Sequence, residues 1–388
     1  MRHFGHIAPA VRKRLFYREP GEFTPDSPAR LLSAALGATL YSPATRPRLA
    51  DDVVKQGGNG VVSMVLCLED SISDADVPAG EENLVRQFAD LAGRPGADLP
   101  LLFIRVRTPE QIPDIVRRLG PSVALLSGFV LPKFTAERGL PFLEALATAE
   151  AESGHRLFAM PVLESPELLY RESRVETLEG IFRAVDKYRD RVLALRLGVT
   201  DFCSSYGLRR GPDMTAYDIQ VVASVISDVV NMLARADGTG FTVTGPVWEY
   251  FRVQERMFKP LLRQSPFHEV QAVALREKLI EHAMDGLLRE ISLDRANGLL
   301  GKTCIHPSHV LPVHALSVVS HEEFSDAQDI LRPERGGGGV LRSAYTNKMN
   351  EVKPHRAWAE RTLLRAEVFG VTNEDIGFVE LLAAGLAE

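Results

Sequence analysis

Leu157-Phe158-Ala159-Met160-Pro161-Val162-Leu163-Glu164 decides how the rest of the chain is read. It is an apolar run that ends on an acid, and it reads as a strand buried on both faces, the state of a parallel strand covered by helices. The stretch Val192-Leu193-Ala194-Leu195-Arg196-Leu197-Gly198-Val199-Thr200-Asp201 repeats the arrangement, again with an acid just past the run. In a parallel α/β protein the strand ends on one side form the rim of the active site. Glu164 and Asp201 therefore share that rim, and two carboxylates there are a candidate pair of ligands for a hard divalent cation such as Mg²⁺.

Working outward, similar runs lie near Ala38–Tyr41, Val61–Leu68, Leu101–Val106, Gly128–Leu131, Phe241–Thr244 and Thr303–Ile305. Segments of helical period or composition separate most of them: Pro109–Leu119, Leu140–Glu152, Val175–Lys187, Ala216–Arg235 and Val270–Asp285. Eight strands with intervening helices predict an α/β fold of the (β/α)₈ TIM-barrel type, with an open doubly wound sheet as the alternative. Gly245 to Leu300 is long enough for more than one helix. Residues 1–30 read as an N-terminal extension packed outside the barrel, so that residues 1–310 form a catalytic barrel domain. Residues 311–388 read as a C-terminal helical arm or lid, with a flexible loop at Gly336–Gly339 and a helix from Pro354 to Phe369.

A formal charge of −6 argues against a nucleic-acid binder that relies on bulk electrostatics. Cys67, Cys203 and Cys304 are odd in number, far apart and set in or beside apolar runs. That suits reduced thiols in a cytoplasmic protein. The basic N-terminus has no apolar stretch behind it, and no apolar segment is long enough to span a membrane. Gly-x-Ser-x-Gly and phosphate-loop motifs are absent, which weakens hydrolase and kinase readings.

Seven motifs occur in order: Leu40-Tyr41-Ser42-Pro43-Ala44-Thr45-Arg46-Pro47-Arg48; Leu68-Glu69-Asp70-Ser71; Phe103-Ile104-Arg105-Val106-Arg107; Gly128-Phe129-Val130-Leu131-Pro132-Lys133; Leu163-Glu164-Ser165-Pro166; Gly198-Val199-Thr200-Asp201-Phe202; and Thr303-Cys304-Ile305-His306-Pro307. Together, over roughly residues 36–365, the chain resembles the citrate lyase β-subunit and malyl-CoA lyase superfamily, the CitE-like branch of the HpcH/HpaI aldolases. The opening Ala35–Tyr41 and the extension before it look most like the citrate-lyase-like proteins found near tellurium-resistance clusters.

The resemblance implies a Mg²⁺-dependent carbon–carbon lyase or aldolase acting on a hydroxy acid or a hydroxyacyl-CoA, with Glu164 and Asp201 as metal ligands. It implies that Arg105 binds substrate and stabilises an enolate, a role that suits a guanidinium. Glu69 and Asp70 are read as a second shell that orients Arg105 and metal-bound waters. Arg107 stands where the family has Asn, and is read either as a contact to a further anionic group or as a solvated residue outside the rim. Arg46 meets a phosphate or carboxylate, or merely starts a surface helix. Ala44 replaces the family's Gly. Lys133 reads as an ion-pair residue or electrostatic helper, and His306 as a structural residue at a turn fixed by Pro307.

Tyr345 to His355 resembles the lyases' arm, whose Asp works in a neighbouring subunit's barrel. Glu351 stands at that position, as an acid/base group or as a charged helix start. A homo-oligomer, trimer-based by resemblance, follows from the first choice. Two rival readings are hydrolysis of an acyl-CoA thioester on the same scaffold and a barrel that binds a metabolite without turnover.

Overall fold

The structure, a computed structural model, describes residues 1–94, 96, 98–251, 284–332, 334 and 338–386. Eight parallel strands form one sheet: β1 Ala38–Pro43, β2 Ser63–Cys67, β3 Leu101–Arg105, β4 Leu126–Leu131, β5 Phe158–Leu163, β6 Leu195–Leu197, β7 Val243–Thr244 and β8 Lys302–Cys304. Strands β1 to β7 pair in chain order, and β8 pairs with β1. Gly245 bridges to Lys302, bringing β7 beside β8 and closing the ring. The (β/α)₈ barrel expected from the apolar runs is thus the observed architecture, and each run overlaps its strand.

The strands are buried on both sides, as the absence of polar alternation requires. Phe103, Ile104, Phe129, Val130, Leu131, Ala159 and Met160 are almost wholly inaccessible. Packing this tight fixes one glycine: a Cβ on Gly128 would lie 2.0 Å from the Phe158 carbonyl oxygen of the neighbouring strand. The outer layer includes helices Leu49–Gly58, Val77–Ala92, Gln111–Leu119, Ala136–Ser153, Arg171–Lys187 and Gln220–Leu233. Of the long connection after β7, helix Met284–Ala296 is described; most of the helix expected at Val270–Asp285 lies outside the described residues, as do Gly336 and Gly337.

Helix Val310–Ser317 follows β8 and stays with the barrel, where His314 Nε2 accepts a hydrogen bond from the Ala38 N–H at the start of β1. The arm proper comes later, as helices His321–Leu331, Val352–Phe369 and Phe378–Leu386. The N-terminal extension is tied to it: the short strand Phe16–Arg18 pairs antiparallel with Val371–Thr372. His3 and Phe4 are buried, and the His3 ring bonds the Ala35 carbonyl. Among the described residues no helix is long and apolar enough to cross a membrane.

A buried ionic seam backs the closing strand. Lys302 Nζ lies 2.7 Å from both Glu290 and Asp294. Arg210 Nη1 bonds the other Glu290 oxygen at 2.7 Å, and Glu249 meets Arg210 from a more exposed position. Tyr217 donates its hydroxyl to Asp294, and the Ala216 N–H completes Glu290. Each buried charge here has a partner, the condition for tolerating ions in the interior.

Candidate active site

The C-terminal ends of β2 to β6 bring four carboxylates and two cations together. Glu69 and Asp70 follow β2, Arg105 ends β3, Lys133 follows β4, Glu164 follows β5, and Asp201 lies in the first turn of helix Val199–Ser204 after β6. Arg105 is their hub: its Nη2 lies 2.6 Å from Glu69, 2.9 Å from Glu164 and 3.5 Å from Asp70. Lys133 Nζ bonds Glu69 at 2.9 Å. Glu164 and Asp201 lie close enough for each to shift the other's protonation. Of the residues read as site candidates, Glu69, Asp70, Arg105, Glu164 and Asp201 are therefore neighbours.

Two local features hold Glu164, which is only 3% exposed. Lys133 adopts a left-handed backbone conformation (φ 48°), uncommon for a residue with a side chain, and its N–H donates to Glu164 Oε1 at 2.8 Å. Gly198 supplies room: a Cβ there would stand 2.3 Å from Glu164 Cβ and 2.6 Å from Oε2. The sequence marked Lys133 for its charge; the backbone role carries no side-chain signature. Gly198 lies in the quoted motif, but its purpose shows only once β5 and β6 are side by side.

The acids outnumber the bases four to two, and the protonation equilibria reflect it. Burial, helped by the neighbouring Asp201 and opposed by Arg105, pushes Glu164 up to about 7. Burial raises Asp201 as well, against Arg105 and Lys133. Asp70 rises to about 6 through burial and its contact with Glu69. Glu69 is buried too, but Arg105 and bonds from Asp70 and Lys133 win and hold it low. Arg105 is kept firmly charged: burial opposes the cation, and Glu164 and Glu69 more than offset it.

These residues fit a divalent ion. Glu164 and Asp201 follow neighbouring strands and influence each other's protonation, four acids exceed two cations by the charge a dication supplies, and Gly198 leaves the Glu164 carboxylate unobstructed. Among the described residues no three His, Cys, Asp or Glu form a fuller metal cage. Mg²⁺ does not need one, because it commonly keeps several waters and takes one or two carboxylates.

The remaining candidates fall elsewhere. Arg107 does not present a free cation to an anionic substrate. Its Nε donates to the Leu68 carbonyl at 2.6 Å, its Nη2 to the carbonyls of Glu69 and Ile72, and its Nη1 pairs with Asp74. It fastens the loop that carries Glu69 and Asp70. Its donors are thereby engaged within the chain. Arg46 pairs with Asp52 at 2.7 Å and is half exposed, as a residue at a helix start would be. Glu351 ends the hairpin strand Met349–Glu351, exposed, with its N–H on His355 Nδ1. The hairpin is held to helix His321–Leu331 through Asn350 and Lys348, both on Asp326. Among the described residues no bond or ion pair joins Glu351 to the mouth of its own chain. His306 caps the turn Pro307–His309, its Nδ1 accepting from the Ser308 N–H. All three cysteines are free and buried, and burial pushes Cys304 up to about 12, which makes it inert.

Residues 30–371 match the family described as C-C bond lyase of the TIM-barrel fold, and the chain belongs to that family. A solved citrate lyase from Burkholderia xenovorans LB400 is 15% identical, with 91% of this chain and 96% of that one covered and a TM-score of 0.59. The protein CitE from Mycobacterium tuberculosis, solved with magnesium, acetoacetate and coenzyme A, is 21% identical, with 86% and 99% covered and a TM-score of 0.52. At these identities the two structures bear on the fold. No curated protein matches the chain.

Proposed function

We propose that this protein is a Mg²⁺-dependent carbon–carbon lyase, or the corresponding condensing enzyme, for a hydroxy acid or its coenzyme A thioester. The supporting observation is the surplus of acid at the mouth: four carboxylates share two cations, and Glu164, buried, and Asp201, half-buried, are both drawn toward protonation. Glu164 and Asp201 would hold the ion, which when bound supplies a Lewis acid for a chelating oxyacid. The magnesium, acetoacetate and coenzyme A in the Mycobacterium tuberculosis structure suggest which substrates to screen first.

The chain's own groups divide the remaining work. Lys133 fixes the orientation of Glu164 through its amide. Arg105 faces the charge that develops when the carbon–carbon bond breaks and its electron pair passes to an enolate; a preplaced guanidinium stabilises that charge without reorganising. Glu69 and Asp70 hold Arg105 in place, and Arg107 holds Glu69 and Asp70. Glu351 takes the hydroxyl proton as the C–O bond becomes a carbonyl. It must come from a second copy, because its own hairpin is fastened to the arm.

The assay is metal-dependent cleavage or condensation across hydroxy acids and acyl-CoA esters. Undiminished turnover in Glu164→Gln and Asp201→Asn would remove the site from the chemistry. Mixing Glu351→Gln with Asp201→Asn tests the second copy: shared sites regain activity in mixed oligomers, and independent ones stay dead.

A further inference from the structure

Carbon–carbon cleavage leaves an enolate that must take a proton at carbon before it departs as product. Glu351 serves the hydroxyl, Arg105 is kept firmly charged, and Lys133 and Asp70 are engaged with Glu69. The interior of the barrel holds a further proton donor. Tyr41 lies on β1, two residues before its end. Thr39, on the same face of that strand, accepts hydrogen bonds from Ser63 of β2 at 2.9 Å and from Arg196 of β6 at 3.3 Å. Strands β1 and β6 are not neighbours and meet only across the inside of the ring, so Thr39 and Tyr41 both point inward.

The register sets the level of the phenol. Tyr41 lies opposite Val65, and the next inward pair, Pro43 and Cys67, is level with Arg105. Tyr41 therefore sits one layer below Arg105, and its ring stands 5.5 Å from the guanidinium carbon of Arg196 beneath it. Arg196, Thr39, Ser63 and Met160 are closed off from solvent, whereas Tyr41 and Thr303, which accepts from Arg196 at 2.6 Å, are partly accessible. The phenol thus borders open space on the mouth side of a largely closed layer, and its hydroxyl has no hydrogen bond among the described residues.

Arg196 explains what such a phenol could do. Among the described residues no carboxylate lies within ion-pair distance of its guanidinium, and its Nε is buried without a partner. A buried cation without countercharge is costly, and an anion beside it relieves the cost. Tyr41 can become that anion, with Arg196 below it and Arg105 above. Burial, helped by Cys67 and Glu164, outweighs the two guanidiniums and keeps the resting phenol protonated. The group is a donor at rest, and the phenolate it would leave has two cations to meet it.

We propose that Tyr41 is a catalytic residue, the acid that protonates the enolate at carbon, and that Arg196 is a positioning residue that steadies the phenolate left behind. This rests on the Mg²⁺-dependent lyase reading. The Tyr41 O–H bond breaks as a C–H bond forms; the enolate's electron pair enters the new bond, the product leaves in its keto form, and the phenolate recovers a proton from water. In the condensing direction the phenolate takes the proton from the same carbon.

The test is proton exchange on the product side. The full-length protein in saturating Mg²⁺, given pyruvate or acetyl-CoA in D₂O, should deuterate the methyl group, read by NMR, while calorimetry reports binding of the same two probes. Tyr41→Phe should slow the exchange about 100-fold or more, the scale of general acid–base catalysis, and leave probe binding in place. Arg196→Met should move the rising limb of the exchange rate to higher pH, because the phenolate loses a countercharge, and Arg196→Lys should bring it part of the way back. Undiminished exchange in a folded Tyr41→Phe that still binds the probes overturns the inference and leaves the metal site standing. Binding without exchange by the unaltered protein does the same, and a limb unmoved in a folded Arg196→Met overturns the part given to Arg196. If neither probe binds more tightly with Mg²⁺ than without it, the metal-site reading fails and takes this inference with it.

Discussion

The barrel carries two clusters of buried charge, and they are built on opposite terms. In the seam behind β8, Lys302 and Arg210 meet Glu290 and Asp294 in matched number, with Glu249 at the edge. At the mouth, four acids face, among the described residues, Arg105 and Lys133. Both are buried enough to raise carboxyl groups, Asp294 to about 6 and Glu164 to about 7. The seam shares Asp294 with Lys302 and a tyrosine, whereas the mouth sets Glu164 against another acid. One cluster is finished by folding; the other is left short of positive charge, and that shortage is what makes it a candidate for chemistry.

The contrast is sharpest under mutation. Glu290→Gln should cost about 3–5 kcal/mol of stability, because it leaves two buried cations with too little countercharge. Urea denaturation would show this, with Mg²⁺ affinity in the surviving folded fraction unchanged. Asp201→Asn should do the reverse: turnover falls by roughly 100-fold or more, the equivalent of several kcal/mol of lost Lewis-acid assistance, with the melting temperature steady or higher. If Asp201→Asn melted early and Glu290→Gln did not, the two regions would have exchanged roles. Gly198→Ala should weaken Mg²⁺ binding about 10–100-fold by displacing Glu164, an effect of the size seen when support around a ligand is lost; calorimetry checks it, and a neutral result would mean that Glu164 moves freely.

The acidity of the mouth adds a pH signature. Glu164 titrates near 7 in the folded chain, above its ordinary 4.5. Without metal, the fold therefore loses stability as pH rises from about 4.5 to about 7, because the unfolded chain gives up this proton first. A bound cation removes that penalty. Mg²⁺ affinity should fall as pH drops below about 7, level off above it, and the stabilisation by Mg²⁺ should be greatest at the alkaline end. Melting curves at several pH values with and without Mg²⁺ would reveal a flat response if the pair does not bind the ion.

The strands were legible because a strand buried on both faces must be apolar throughout, and the eight runs had no other simple explanation. Glu164 and Asp201 were legible because an acid directly after such a run has few places to go except the rim. The hold of Arg107 on its loop was not legible, since its partners are mostly carbonyls over thirty residues earlier, and carbonyls leave no trace in composition. Arg196 lies within the apolar run Val192–Leu197, and which way it points depends on register and closure of the ring. The job of Lys133 belongs to its amide, which every residue but proline possesses.

That last point has a consequence for how the site can change over time. Since the peptide of residue 133 grips Glu164, the side chain there is free to vary without loosening the grip. Asn or Gly would even sit more comfortably at a positive φ. Descendants of this protein can therefore retune the charge of the pocket entrance at one position while its geometry is inherited intact.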